Sequence, residues 1–136
     1  MSNVVEVVGA DINLATMSRG VKAAGLDVAF AGKGPFTIFA PTDIAFGKLQ
    51  AGRMQELLKA ENKEKLAELL NHHVVDGLNN YNDLKHNQKL VTVNGRQLNV
   101  VLAEGKVMIN GAVVQGRDSE GTNGVVHSLD TVIEMN

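Results

Sequence analysis

The chain reads as an α+β domain with helices leading and strands following, and three observations carry that expectation. Apolar residues recur at helical spacing in the first half and at strand spacing from Leu90 onward. The turn dipeptides Asn94-Gly95, Glu104-Gly105 and Asn110-Gly111 cut the second half into short segments suited to antiparallel pairing. Between the halves, residues 35–46 (Pro-Phe-Thr-Ile-Phe-Ala-Pro-Thr-Asp-Ile-Ala-Phe) hold three of the four Phe residues, in a protein with no Trp and a single Tyr. Helices and strands segregated in this way predict α+β rather than alternating α/β architecture, in one domain spanning residues 1–136.

In chain order, Asn13 is placed to cap a helix over residues 12–24 whose Leu14, Met17, Val21 and Ala24 share one face. Gly20 inside it costs about 1 kcal/mol relative to Ala, and Gly25 is a natural stop. Another turn follows over residues 26–31, and the loop of residues 32–35 leads into the central strand. That loop lacks the Gly-Lys-Ser/Thr ending of a phosphate loop and precedes a strand rather than a helix. Phe36, Ile38 and Ala40 alternate with Thr37 and Phe39, and Pro41, which has no N–H for a ladder, is expected to end the strand. Thr42 then caps a short helix, Asp43 complements its dipole, and Ile44, Phe46 and Leu49 anchor it.

Ala51-Gly52 punctuates, and Met54, Leu57 and Leu58 mark a further turn or two. Asn62 is the expected cap of a helix over residues 63–71, where Leu66, Leu69, Leu70 and His73 fall at i, i+3, i+4 and i+7. Val74 and Val75 make a short strand before Asp76-Gly77. Residues 90–93 and 96–102 read as a hairpin closed by a type I′ turn at Asn94-Gly95. Residues 106–109 and 112–115 continue an antiparallel meander, residues 116–123 form a polar loop, and residues 124–134 close the domain with β-rich apolar sequence.

Composition narrows the function classes. A chain of 136 residues with 44% hydrophobic and 21% charged residues is neither disordered nor membrane-spanning, and no run of about 20 apolar residues is present. A net charge of −2 with no Lys/Arg stripe gives no basis for nucleic-acid binding. The absence of cysteine excludes disulfides and thiolate chemistry without assigning a compartment. The N-terminus has no basic segment followed by an apolar run, as expected of a cytoplasmic protein or of a processed one.

Residues 36–46 resemble the first signature of the fasciclin (FAS1) domain, a strand ending Thr-aliphatic-Phe-Ala-Pro followed by Thr/Ser, Asp/Asn and later Ala-Phe. Residues 123–133 (Asn-Gly-Val-Val-His-Ser-Leu-Asp-Thr-Val-Ile) are similar to its second signature, in which Asn123, Gly124, His127 and Asp130 match. Residues 70–75 resemble its Tyr-His segment, with His72 where Tyr is usual and His73 in the His position. The resemblance implies two small β-sheets meeting as a wedge with helices packed around them. It also implies a non-catalytic role in adhesion, through contacts with a protein or surface polymer at the cell surface, outside the cell or in the periplasm. In animal relatives an Asp-Ile dipeptide before the second signature and the Tyr-His segment are associated with integrin binding. Here the matching residues are Asp118 and Ser119, and His72 replaces the Tyr, so integrin recognition is not carried over.

Candidate chemistry is otherwise sparse. His72 and His73, if extended, point to opposite faces and cannot share a metal, whereas on a helix His73 joins the apolar stripe. His127, flanked by apolar residues, is expected in the core with Thr42 or Asp43 as hydrogen-bond partners. Residues 118–123 offer oxygen ligands without the spacing of a calcium loop, and neither Gly-x-Ser-x-Gly nor His-Glu-x-x-His occurs. No cofactor or metal is expected. The contact surface is expected around His72, His73, Asp76, Asp118 and Ser119. The rival expectation is a small-ligand-binding or hydrolytic protein with His73 or His127 in an open cleft.

Overall fold

The computed structural model describes residues 3–32, 34–48, 52–80, 83–115 and 119–133, with the side chains of Arg53, Met54, Ala60 and Ser119 left aside. Helices α1 (Val4–Ala10), α2 (Ala15–Ala23) and α3 (Asp27–Phe30) lead into strand β1 (Phe36–Pro41). Helices α4 (Asp43–Gly47), α5 (Arg53–Leu57) and α6 (Lys63–Asn71) follow. The remaining strands are β2 (Val74–Asp76), β3 (Lys89–Val91), β4 (Gln97–Ala103), β5 (Lys106–Ile109), β6 (Ala112–Val113), β7 (Ser119–Gly121) and β8 (Gly124–Leu129).

One sheet has the order β2-β1-β8-β7 and the other β3-β4-β5-β6. The second is the expected antiparallel meander. In the first, β1 and β8 run parallel, from Phe36 opposite Gly124 to Pro41 opposite Leu129. The sheets meet at two backbone bridges, Val75 with Thr92 and Val114 with Leu129.

Both faces of β1 are covered, which is why its sequence is apolar nearly throughout. Ile38 and Ala40 face a core built with the helices from Val8, Met17, Val21, Leu66 and Leu70. Phe39 faces a second core with Leu98, Val100, Val107, Ile109 and Leu129. The alternation in β4 and β5 follows from the same geometry: Leu98, Val100, Val107 and Ile109 are buried, while Gln97, Asn99 and Lys106 are exposed.

Several local expectations are corrected. Helix α1 was not expected, although Asn3-Val-Val-Glu6 closes a capping box in which Asn3 Oδ1 accepts from Glu6 N–H (2.9 Å) and Glu6 Oε1 from Asn3 N–H (3.0 Å). The helix expected over residues 12–24 opens with a 3-10 turn, Ile12–Leu14, and Asn13 does not cap it. Asp11 accepts from Asn13 N–H instead (2.9 Å), and the free Thr16 N–H in the first turn of α2 donates to Asp43 Oδ1 (2.7 Å). Asn62 does not cap α6, because its amide donates to Glu56 O (2.7 Å). Pro41 does end β1 as expected, as the last residue of the strand. The expected polar loop of residues 116–123 holds β7, and residues 131–133 lie outside the strands. Ile44, expected to anchor α4, is 77% exposed, while Phe46 is buried; Leu49 and Ala51 lie outside the described residues.

The turns divide by backbone sign. Glu104-Gly105 and Asn110-Gly111 have positive φ at both residues, as a two-residue type I′ turn requires. At Asn94-Gly95 only Gly95 is positive (φ 83), and Thr92 N–H bonds Arg96 O (2.7 Å). That is the three-residue loop with a left-handed last position, not the expected type I′ turn.

Gly34 and Gly124 sit where two segments of main chain nearly touch. A Cβ on Gly34 would lie 1.9 Å from Asn123 O, and one on Gly124 would lie 2.0 Å from Phe36 O. The entry to β1 and the turn into β8 therefore depend on both residues lacking a side chain. Gly124→Ala is expected to cost about 3 kcal/mol or more in denaturant unfolding, because backbone rather than a movable side chain blocks the methyl. Gly47→Ala, at an open helical position, is the control and is expected to be neutral or stabilising by up to about 1 kcal/mol. Equal stability of the two variants would contradict the close approach.

Candidate functional site

The histidines of the motif segments are enclosed. His73 has no exposed surface. Its Nδ1–H donates to Leu69 O (2.8 Å) and its Nε2 accepts from Ile133 N–H (2.8 Å), which settles the tautomer. Burial pushes its pKa down to about 4, with the Leu69 bond opposing and His72 assisting. His72 is only 4% exposed, and its ring meets His73 edge-on at 6.2 Å. Burial and then Arg96 lower its pKa while Glu68 opposes them, and Nδ1 has no partner. The two residues follow α6 with His72 in helical conformation, so they are not the extended pair with opposed faces. The expectation that His72 and His73 supply exposed contact surface is corrected, since the last turn of α6 is packed against the strands that follow it.

His127 is likewise fully buried. It stacks on Phe39, its register partner across the parallel pair, with ring centroids 5.4 Å apart, and Nε2–H donates to Asn79 O (2.8 Å). Thr42 and Asp43, its expected partners, are occupied elsewhere. Thr42 Oγ1 accepts from Ala45 N–H (3.2 Å) as the cap of α4, and Asp43 bonds the start of α2. The fourth histidine, His86, accepts Leu102 N–H at Nδ1 (3.0 Å).

The remaining matched residues stitch elements together. Asn123 Oδ1 accepts from Val4 N–H (2.9 Å), and its amide donates to Phe30 O (2.7 Å) and Gly32 O (2.8 Å), tying α1 and the end of α3 to the turn before β8. Asp130 Oδ1 accepts from Val113 N–H (2.8 Å) and holds β6. Among the described residues, no three His, Asp or Glu side chains are grouped to hold a metal ion.

What stays open lies at the end of the first sheet where β1 begins. Residues 77–80 run along β1: Gly77 N–H bonds Pro35 O (3.0 Å), Thr37 Oγ1 donates to Gly77 O (2.7 Å), and Asn79 N–H donates to Thr37 Oγ1 (2.8 Å). Opposite them stands the turn from β7 to β8. Between the two is a cleft of about 630 Å³ lined by Pro35, Leu78, Asn80, Glu120, Thr122 and glycine backbone. Asp76 is exposed at the end of β2, one residue before the bond to Pro35. Asp118 lies outside the described residues, and Ser119 opens β7 with its backbone opposite Val126. No period or motif distinguishes Leu78 and Asn80 in the sequence, and Glu120 and Thr122 stand out there only as oxygen-bearing residues of the polar stretch 118–123.

A family model described as "Fasciclin domain" matches residues 13–135. The chain belongs to the fasciclin domain family. This fasciclin domain is 39% identical over 130 residues to "Protein sll1483" of Synechocystis sp., covering 96% of the chain and 72% of that protein. It is 37% identical to "Uncharacterized protein sll1735" of the same organism, covering 99% of each. Among solved structures, it is similar to a FAS1 domain pair from the insect cell adhesion molecule Fasciclin I, with a TM-score of 0.87 and 19% identity. That match covers 98% of this chain and 51% of the insect one. The α+β fold with two small sheets is thus the FAS1 fold.

The buried imidazoles make the domain sensitive to acid. In the unfolded chain His73 titrates near 6.5, and in the fold it does so near 4. Above pH 6.5 neither state takes the proton, and stability is unaffected. Between pH 6.5 and 4 the unfolded chain is protonated first, so stability falls by about 1.4 kcal/mol per unit, roughly 3 kcal/mol in all. Denaturant unfolding as a function of pH is expected to show this decline, and a folded His73→Asn variant to show a flatter profile in the same window. An unchanged slope in the variant would remove His73 from the account.

Proposed function

We propose that this fasciclin domain is a non-catalytic interaction module that binds a surface protein or polymer outside the cell or at its surface. The observation that carries this reading is that exposed residues close in sequence to Asp76 and to Ser119, two of the expected contact positions, share one cleft. Leu78 and Asn80, shortly after the exposed Asp76, line one open cleft beside Pro35, and Glu120 and Thr122 line it from the β7–β8 hairpin. The similar insect protein is described as a cell adhesion molecule. Burial of His73 and His127 disfavours the rival reading of a histidine-lined catalytic cleft, because neither ring has access to a substrate.

Cleft walls on surface segments can vary without disturbing either core, which suits them to carry specificity. Single-copy attachment is expected to be modest, since no aromatic anchor lies among the described lining residues, and multivalent display compensates. The test uses beads coated with the domain and intact cells of its source. Leu78→Asp and Asp76→Ala, both at exposed positions, are expected to preserve the fold by circular dichroism and to lower attachment about tenfold when combined. Attachment equal to that of the unsubstituted domain would place the contact elsewhere.

A further inference from the structure

The chemistry of the cleft narrows what enters it. Among its described lining residues Glu120 is the only ionisable one, and it is exposed. Leu78 is 53% exposed and, with Pro35, lines the cleft with apolar surface across from the β7–β8 hairpin that carries Glu120. Asn80 and Thr122 add side-chain oxygens that accept hydrogen bonds. The side chain of Asn123 contributes little, because its amide and carbonyl are committed to Phe30, Gly32 and Val4. Asp76 adds a second exposed carboxylate at the same end of the sheet.

A cleft that offers apolar surface and one carboxylate matches a side chain with a methylene stem and a cationic head. An anionic group would face Glu120 with no counter-charge among the described lining residues, while a neutral ligand would leave the carboxylate unused. We propose that the cleft receives a Lys or Arg side chain presented on an extended segment of a partner protein, its stem along Leu78 and Pro35 and its head at Glu120. The volume of about 630 Å³ admits such a side chain together with its flanking backbone. The proposal rests on the interaction reading above and names the partner chemistry for the same site. The net charge of −2 favours approach of a basic segment at low salt.

The test is an amide-shift titration of the full chain with acetyl-Gly-Ser-Arg-Ser-Gly-amide and with its citrulline analogue, which keeps the shape and removes the charge. The Arg peptide is expected to shift the amides of Leu78, Asn80, Glu120 and Thr122 and to bind at least about fivefold more tightly than the citrulline peptide. Glu120→Gln, at an exposed position, is expected to abolish that preference. Equal binding of both peptides, no shifts at these amides, or shifts produced only by a neutral oligosaccharide such as cellohexaose would overturn it. Cell attachment separates the two levels of the account. If Leu78→Asp lowers attachment while Glu120→Gln does not, the interaction reading stands and the basic partner is wrong. If neither variant changes attachment, the cleft is not the contact site.

Discussion

The parallel pairing of β1 with β8 is the constraint on which the rest of this fold depends. The two strands lie far apart in the sequence, and their register, Phe36 on Gly124 to Pro41 on Leu129, brings the two motif segments side by side. Once paired they form a wall with a hydrophobic core on each face, one built with the helices and one with the meander. A pairing this distant in sequence carries a large loop-closure cost, so it needs contacts on both faces to hold. The wall supplies them through Ile38 and Val126 on one side and through Phe39 and Leu129 on the other.

Polar residues at the ends of this wall act as ties between elements. Asn123 holds α1 and the end of α3, Asp43 closes the start of α2, and Asp130 holds β6. Each satisfies backbone groups that would otherwise be left at a helix end or strand edge, which is costly for a buried or half-buried group. His73 and His127 do the same inside the wall, through Ile133 N–H and Asn79 O, and burial holds the pKa of His73 down. This explains why motif residues of polar type need not touch a ligand. Their chemistry is spent on holding the wall, and the surface free for contact lies beside them.

Much of this was legible in the sequence because single-residue physics dictated it. The meander was readable from period-2 burial and from glycine-bearing turns, and β1 from an apolar run bounded by prolines. What escaped depended on partners far along the chain. Asn13 and Asn62 look like caps by composition, yet Thr16 N–H is capped from α4, and Asn62 reaches back to Glu56. Asn94-Gly95 has the composition of a type I′ turn, but the Thr92–Arg96 bond draws it into a three-residue loop. The enclosure of His127 was readable from its apolar flanks, whereas its partner was not, because Asn79 is brought there only by Thr37 holding residues 77–80. The cleft was least legible, since its walls are joined by β1 and β8 rather than by proximity in sequence.

A fold that depends on the β1–β8 pair opens that pair last. Native-state amide hydrogen exchange tests it most directly, by comparing the free energy of exchange along β1 and β8 with that of global unfolding. The amides of Ile38, Phe39 and Ala40 and those along β8 are expected to exchange only through global unfolding, with those of β5 and β6 released at lower free energy. Exchange of the β1 and β8 amides below the global value, while the meander stays protected, would contradict the account.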